Sequence, residues 1–427
     1  MPTATQALAL PLDDDVSSQP SPEHLIAVDT GTVHRDIQRR NGAWSRTTIV
    51  RETQTDDLHA DVDKSFLLSK VRLTASVESG AIRVADLFCG CGAMSLGIAE
   101  ACRALGLRFE PVLPCDINTA ALGVYAANFG LESQPVRDLG ELSSIIEGTM
   151  TPFEVTLSRS VTDVDLVVGG PPCQGHSNLN NHTRRNDPKN GLYFKVARFA
   201  KLFSPKHIIV ENVPAVVRDH SAVVHRTTEA LCALGYSVES GLVDMQRIGV
   251  AQTRKRHVLL ASKVVRVPTI PEVMSRYRVP PRDVRWAIGD LFGHEVEGDL
   301  FRAPPNMTAV TKQRIDLLFE QGLHNLPDEH RPDCHRTKEH TYGAVYGRMH
   351  WDKPAPTITG GFVTMGQGRF VHPGRRSTLT PHEAARIQFI PDFFDFSSVT
   401  HRNRLTEIIG NAVPPKLSYV LALELLR

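Results

Sequence analysis

Between Ile82 and Ala261, short apolar runs alternate with amphipathic stretches. Val84-Ala85-Asp86-Leu87-Phe88 precedes a helix-like pattern over Ala93–Ala104, and Pro111-Val112-Leu113 leads to Asp116. Val164–Val168, His207–Val210 and a strand-like His257–Ala261 continue the rhythm. Strands separated by helix-length segments are joined by crossover helices, so the spacing predicts an α/β fold with a doubly wound, mostly parallel sheet. Beyond it, residues 264–374 are rich in Pro, Gly, Arg and His and read as a second, smaller domain. Pro381–Phe389 and Pro414–Leu426 are helix-like again, each opened by a proline suited to a first helical turn. Residues 375–427 are therefore expected to complete the domain formed by residues 66–263. Residues 1–65 are polar, with Ser17, Ser18, Pro20, Ser21 and Pro22 close together, and are expected to form a flexible N-terminal extension.

The chain has 427 residues, 41% hydrophobic and 22% charged, enough for a large core. Its formal net charge is only +1, so any contact with nucleic acid has to rest on local basic clusters. Seven scattered cysteines, Cys89, Cys91, Cys102, Cys115, Cys173, Cys232 and Cys334, make no disulfide framework and fit a reducing compartment. Without matched ligand spacing, Cys89-x-Cys91 and Cys334-His335 give no expectation of a metal. The apolar run Leu8–Leu12 is preceded by no Lys or Arg and followed by Asp13, Asp14 and Asp15, unlike a signal peptide. No later stretch is long and uncharged enough to span a bilayer, and a cytoplasmic protein without membrane contact is expected.

Asp86-Leu87-Phe88-Cys89-Gly90-Cys91-Gly92-Ala93 falls where a strand passes into a helix. Doubly wound sheets bind nucleotide-like ligands in that crevice, and Gly90 and Gly92 let backbone approach one closely. By itself this is equally an ordinary tight turn. Asp116, ending the next strand, is placed to accept from ribose hydroxyls, and Asp138 to accept from an adenine amine. These features fit NAD as well as other nucleoside cofactors, although Ser95 breaks the GxGxxG spacing of dinucleotide sites.

Gly169-Gly170-Pro171-Pro172-Cys173-Gln174-Gly175 follows a strand directly and puts Cys173 on a rigid turn at the sheet's carboxyl edge. A lone cysteine is more often a small core residue, but the surrounding glycines and prolines favour a nucleophile. Glu211-Asn212-Val213 ends the next strand, and Gln252-Thr253-Arg254-Lys255-Arg256 opens another with Arg254 and Arg256 on one face. Thiolate, carboxylate and guanidinium together suit one reaction. A thiolate adding to carbon 6 of cytosine makes carbon 5 able to attack an electrophilic methyl group. Glu211 would hold N3 and the exocyclic amine while Arg256 grips O2. A base inside a duplex must first be flipped out, and the polar run Ser177–Asn190 reads as a lid over it. A free thiol has a pKa of about 8.5, so Cys173 needs local help to ionise.

In order along the chain, these segments resemble the cytosine-5 DNA methyltransferase family over about residues 82–427. Asp86–Gly92 looks like its cofactor loop, Pro171-Pro172-Cys173-Gln174 its catalytic loop and Glu211-Asn212-Val213 its base-holding carboxylate. Gln252-x-Arg254-x-Arg256, the run Leu379–Gln388, and Gly410-Asn411-Ala412-Val413-Pro414-Pro415 complete the series. The resemblance implies a Rossmann-like methyltransferase sheet that binds S-adenosyl-L-methionine near Phe88, Gly90, Gly92, Asp116, Asp138 and Asn411. It implies catalysis by Cys173, Glu211, Arg254 and Arg256, and a C-terminal helix folded back beside the first strand. Residues 264–374 would recognise the target in double-stranded DNA, with the enzyme acting as a monomer. Arg331, Arg336, Lys338, Arg348, Lys353, Arg369, Arg375 and Arg376 make that region basic, as phosphate contact requires, though any one of them equally suits a solvated face.

Two positions depart from the family pattern: Ala93 stands where glycine is frequent, and His176 where phenylalanine usually follows Cys-Gln-Gly. Three other readings remain: methylation of cytosine in RNA, a catalytically inactive DNA-binding relative, and an NAD-linked oxidoreductase. The last leaves the Pro-Pro-Cys turn unexplained. Neither the recognition sequence nor a restriction endonuclease partner is readable from the chain.

Overall fold

The computed structural model describes residues 20–72, 80–161, 163–172, 191–333 and 345–427. Near the N-terminus it departs from the sequence-based expectation, because residues 20–65 are not a flexible extension. Strands β1 (Glu23–Ala27), β2 (Thr32–Gln38) and β3 (Trp44–Val50) form an antiparallel meander, followed by helix α1 (Leu58–Leu68). The proposed boundary at residue 65 cuts through α1. Asn41-Gly42 is a hairpin signal, and Gly42, at φ 84°, turns the chain between β2 and β3. The apolar pattern is faint because only Val33, Ile37 and Ile49 carry it, alongside charged residues that are buried in pairs.

Arg35 shows this most clearly. Its guanidinium donates to Glu100 Oε1 (2.9 Å), Tyr419 Oη (3.2 Å) and Thr47 Oγ1 (3.1 Å), and Tyr419 Oη donates to Glu23 Oε1 (2.6 Å). The N-terminal sheet is thus tied by buried charge to helices from both ends of the remaining chain. Lys64 on α1 likewise donates to Trp286 O (2.8 Å) and pairs with Asp290 (2.5 Å), while Asp63 accepts from Lys416 (2.6 Å).

The central sheet has six strands: β4 (Ala81–Leu87), β5 (Arg108–Cys115), β6 (Leu166–Gly169), β7 (His207–Asn212), β8 (Ser237–Asp244) and β9 (Lys255–Ser262), in the order β5-β4-β6-β7-β9-β8. The first four are parallel and β9 is antiparallel to both its neighbours. Each parallel connection carries helix: α2 (Ala93–Ala104), then α3 (Thr119–Phe129) and α4 (Pro152–Ser160), then α5 (Leu192–Phe203). Helix α6 (Val223–Ala233) joins β7 to β8. Between β8 and β9 there is only the short stretch 245–254 with a 3₁₀ turn at Met245–Ile248, too little for a crossover, so β9 returns antiparallel.

Strand residues alternate between two helical layers. Val84, Leu166, Val168, Ile209 and Leu260 pack with Ile98, Ala101, Leu417 and Val420. Ala85, Leu87, Val167, Ile208 and Leu259 pack on the other face with Leu157, Val196, Phe199 and Leu231. Every strand between neighbours is buried on both faces, which accounts for its nearly unbroken apolar sequence.

The region after β9 is less separate than residues 264–374 suggested. Helix α7 (Ile270–Arg276) supplies Ile270 and Val273 to the main core, and α8 (Val284–Ile288) packs with the C-terminal segment. A small core of its own begins with α9 (Ala309–Glu320), where Ile315 and Leu318 meet Leu326, Tyr346, Met365 and Val371. The chain closes with α10 (Pro381–Ile387), α11 (Arg402–Asn411) and α12 (Pro415–Leu426). Helix α12 lies against α2 so closely that a Cβ on Gly97 would fall 2.0 Å from Pro415 O, and Ser418 Oγ donates to Met94 O (2.7 Å).

Arg35→Ala removes the guanidinium shared by Glu23 and Glu100, leaving Glu100 its bidentate pair with Arg103 and Glu23 its bond from Tyr419 Oη, and is expected to cost about 1.5–3 kcal/mol. A lowered urea midpoint measures the loss. A change within about 0.5 kcal/mol, the size of a surface substitution, would show that the N-terminal sheet is an appendage.

Candidate active site

The carboxyl ends of β4, β5, β6 and β7 meet along one edge of the sheet. At β4, the chain leaves the strand through Phe88 in the left-handed region (φ 62°) and enters α2 through Gly92 (φ 88°). A Cβ on Gly92 would lie 2.6 Å from the Phe129 ring, so both conformation and space require glycine there. Gly90 N–H donates to Asp116 Oδ2 (2.8 Å), and Asn118 N–H to Asp116 Oδ1 (2.8 Å). The glycine turn and Asp116 are therefore one rigid unit. Arg137 N–H donates to Asp116 O (3.1 Å), which brings the exposed Asp138 beside it, where its Oδ1 caps Gly140 N–H (2.8 Å). Asn411 is exposed at the end of α11, and its neighbour Ala412 packs in one apolar cluster with Cys91 and Ala93. Phe88, Gly90, Gly92, Asp116 and Asp138 thus lie along this edge.

Two features there were not singled out from sequence. Ile117 directly follows Asp116 and is 66% exposed, an apolar surface at the rim of the crevice. Asp86, at the end of β4, is fully buried and accepts from Ser95 Oγ (2.6 Å), which lies 2.9 Å from Tyr125 Oη. Burial pushes its carboxyl up to about 7, the Ser95 hydrogen bond opposes this, and the nearby Asp116 charge adds to it. An aspartate within an apolar strand was the available signal. Cys89 and Cys91 are buried, and burial raises the Cys91 thiol to about 12, as suits core thiols.

At β6 and β7 the structure assembles the other half. Gly169 pairs with Val210, so the segment Gly170-Pro171-Pro172 leaves the sheet beside Glu211. A Cβ on Gly170 would be 3.6 Å from Glu211 Oε2, and Asn212 Nδ2 donates to Pro171 O (3.2 Å). Cys173 itself, with Gln174, His176 and the run Ser177–Asn190, lies outside the described residues. Glu211 is buried and its Oε1 lies 2.6 Å from Arg256 Nε across the β7–β9 pair.

Arg254 lies immediately ahead of β9. Residues 252–254 run through tight turns, with Gln252 N–H donating to Val250 O (2.8 Å) and Arg254 N–H to Gln252 O (2.9 Å), and β9 begins only at Lys255. Arg254 is buried with Nη1 donating to Ile358 O (3.0 Å), in the segment that returns from the smaller core. That segment is bonded to the same stretch, since Thr253 N–H donates to Ala355 O (2.8 Å) and Ala355 N–H to Ala251 O (2.9 Å).

The basic cluster is also largely spent inside the protein. Arg375 makes a bidentate pair with Glu383 (2.7 and 2.8 Å), Arg376 pairs with Asp316 (2.9 Å), and Arg331 donates to Leu326 O (3.0 Å). Arg348 lies 4.5 Å over the Phe319 ring, and Arg369 donates to His324 O (2.7 Å). Lys353 is exposed, and Arg336 and Lys338 lie outside the described residues. Opposite charges close in sequence or space explain the difference: Asp316, Asp328 and Glu383 interleave with the arginines.

A family model for C-5 cytosine-specific DNA methylases matches residues 82–427. The chain belongs to this family. It is a DNA (cytosine-5-)-methyltransferase, and its similarity to one relative reaches into the N-terminal sheet as well. The Type II methyltransferase M1.BsuMI of Bacillus subtilis is 42% identical over 405 residues, covering 94% of each chain. The Type II methylase M.HgiDII of Herpetosiphon aurantiacus is 30% identical over 353 residues, 81% of this chain and 95% of that one. Among solved structures, the Dnmt2 methyltransferase of S. pombe shares the fold with a TM-score of 0.56 at 17% identity, covering 81% of this chain and 98% of that one. A prophage-encoded DNA modification methyltransferase structure from E. coli has a TM-score of 0.54 at 21% identity, with coverage of 81% and 98%. The doubly wound methyltransferase sheet expected from sequence is thus the fold of this enzyme. Among the described residues, no helix is long and apolar enough to cross a membrane.

The Asp86 carboxyl, raised in the folded state, favours folding fully below its unfolded pKa near 4, and that contribution is lost as pH rises through about 7. Asp86→Asn lacks this loss. The stability difference, variant minus wild type, is expected to move in favour of the variant by a few kcal/mol between about pH 5 and about pH 8. A pH-independent difference in thermal unfolding would show that Asp86 is an ordinary ionised carboxylate.

Proposed function

We propose that this methyltransferase transfers a methyl group from S-adenosyl-L-methionine to carbon 5 of a cytosine flipped out of double-stranded DNA, through a bond between Cys173 Sγ and carbon 6. The observation that carries the reading is the Glu211–Arg256 pair, set beside the turn that leads into Cys173.

The residues at the glycine turn fit the cofactor. Asp116 keeps lone pairs for ribose hydroxyls beyond the two backbone bonds it accepts, Ile117 offers an apolar surface to an adenine ring, and Asp138 stands beside it. The Asp116 carboxylate gives this end a negative field suited to a cation. When bound, S-adenosyl-L-methionine supplies a methyl group on positively charged sulfur.

Cys173 would add as a thiolate to carbon 6, moving the electron pair to carbon 5, which would take the methyl group as its bond to the cofactor sulfur breaks and S-adenosyl-L-homocysteine leaves. Water removes the carbon 5 proton, and the pair left behind expels the Cys173 thiolate and restores the ring. Glu211 holds N3 and the exocyclic amine through the charge shift. Arg256 fixes Glu211 through Oε1 and faces O2. Arg254, which also holds the segment at Ile358, stands with Arg256 as the second guanidinium of the catalytic set. Asn212 holds the stem of the nucleophile turn at Pro171 O.

Residues 264–374 would supply target recognition, joined to the catalytic edge at Ala355–Ile358. The enzyme is read as a monomer on DNA in the bacterial cytoplasm, at the nucleoid. The Type II designation of its Bacillus subtilis relative supports a companion restriction endonuclease.

Cys173→Ser should retain S-adenosyl-L-methionine binding by calorimetry and lose methylation of duplex DNA. Wild type should form a denaturation-resistant adduct with duplex containing 5-fluorocytosine, whose carbon 5 fluorine blocks the final elimination. Glu211→Gln should lower turnover by about 100-fold or more. Methylation by Cys173→Ser, or an active wild type that leaves no adduct, would count against the mechanism.

A further inference from the structure

The small core after α9 carries two histidines whose imidazoles stack, with ring centroids 3.5 Å apart and planes 15° from parallel. His324 and His350 are both half-buried, and the backbone beneath them is fixed from several sides. Asn325 bridges Gly347, and Arg348 N–H donates to His324 O (3.0 Å). Arg369 Nη1 donates to His324 O (2.7 Å) and Arg348 O (3.2 Å), and its Nη2 to Asn325 Oδ1 (2.6 Å). Such bracing holds a side chain in one orientation, as a recognition group needs.

The hydrogen bonding also sets which ring atom is available. His324 Nδ1 lies 3.2 Å from Arg348 O, and a carbonyl can only accept, so Nδ1 carries the proton. In the neutral ring Nε2 is then a lone-pair acceptor. It makes no hydrogen bond among the described residues and is not sealed from solvent. Burial, together with the neighbouring His324, Lys353 and Arg369, pushes the His350 imidazole below its ordinary value, against Asp352, so the ring stacked on His324 is uncharged near neutral pH.

The pair stands close to the catalytic edge. His350 is five residues before Ala355, whose carbonyl accepts from Thr253 N–H, next to the strand that carries Arg256. Five residues span at most about 18 Å, the rise of roughly five base-pair steps. A duplex whose cytosine lies against the Glu211–Arg256 pair therefore has its flanking bases within range of this stack.

We propose that the His324–His350 stack reads a base: His324 Nε2 accepts a hydrogen bond from the exocyclic amine of adenine or cytosine in the major groove, and the His350 ring is its floor. Adenine N6 and cytosine N4 are the amine donors of that groove, whereas guanine O6 and thymine O4 are acceptors that would face the Nε2 lone pair. One position of the recognition sequence is accordingly an amino base, A or C, on the strand facing His324. The inference rests on residues 264–374 being the target-recognition region.

The test is methylation of a duplex library with randomised flanks around cytosine by the full chain, read by sequencing for 5-methylcytosine. Wild type should favour A or C over G or T at one position. His324→Phe, which keeps the stack and removes the acceptor, should lose about tenfold discrimination there and keep its other preferences. His350→Phe, which keeps a flat floor and the acceptor, should retain the preference. Thermal unfolding confirms that both variants fold. Unchanged preferences in His324→Phe, or a loss of activity equal on all sequences, would overturn the assignment of His324 alone. A wild type that methylates cytosine without regard to its flanks would instead overturn the target-recognition reading on which it rests.

Discussion

Two buried glutamines hold the enzyme's separate parts in register. Gln252 Nε2 donates to Gln388 Oε1 (2.8 Å) and Ile387 O (3.0 Å), while its Oε1 accepts from Ile358 N–H (3.2 Å). Gln388 Nε2 donates in turn to Ile409 O (2.9 Å) and Ala412 O (3.0 Å). The pair therefore joins the lead into β9, the end of α10, the junction of α11 with α12 and the returning segment at Ile358. Each of these is a place where helix or strand stops and leaves backbone groups that need partners. Satisfying them with two fully buried amides fixes the base-holding strand, the cofactor turn and the smaller core relative to one another.

Around that joint, the two halves of the site differ in electrostatic character. At the cofactor turn, burial holds the Asp86 carboxyl well above its ordinary range, and the nearby Asp116 charge adds to this. At the base-holding end the opposite holds, because Glu211 is matched by Arg256 on the adjacent antiparallel strand. The antiparallel return of β9 is what makes the match: it brings a residue from the start of one strand beside a residue from the end of another.

Much of the fold could be read from the chain because buried parallel strands write themselves as apolar runs. Helix α2 has the span Ala93–Ala104 that its pattern implied, and β7 and β9 fall on their apolar runs. The N-terminal sheet was missed for the converse reason. Its docking face is built from Arg35 and Glu23, residues that read as solvent-facing until Glu100 and Tyr419 are seen to meet them. The arginines between 331 and 376 looked like a phosphate surface because sequence counts charges without showing that Asp316, Leu326 O and Glu383 have already taken them.

The sequence by itself determined the layered α/β architecture and the order of the chemical groups along it, since both rest on local periodicity and on turns that only glycine and proline permit. What the tertiary structure alone decided is which charges neutralise which: Arg256 with Glu211, Arg35 with Glu100, Arg375 with Glu383. Arg35 and Glu100 lie 65 residues apart, Arg256 and Glu211 stand on antiparallel strands, and even Arg375 and Glu383, eight residues apart, meet only through the turn between them; a charge in a sequence carries no mark of its partner. Burial and distance supply that mark, and they exist only once the chain has folded.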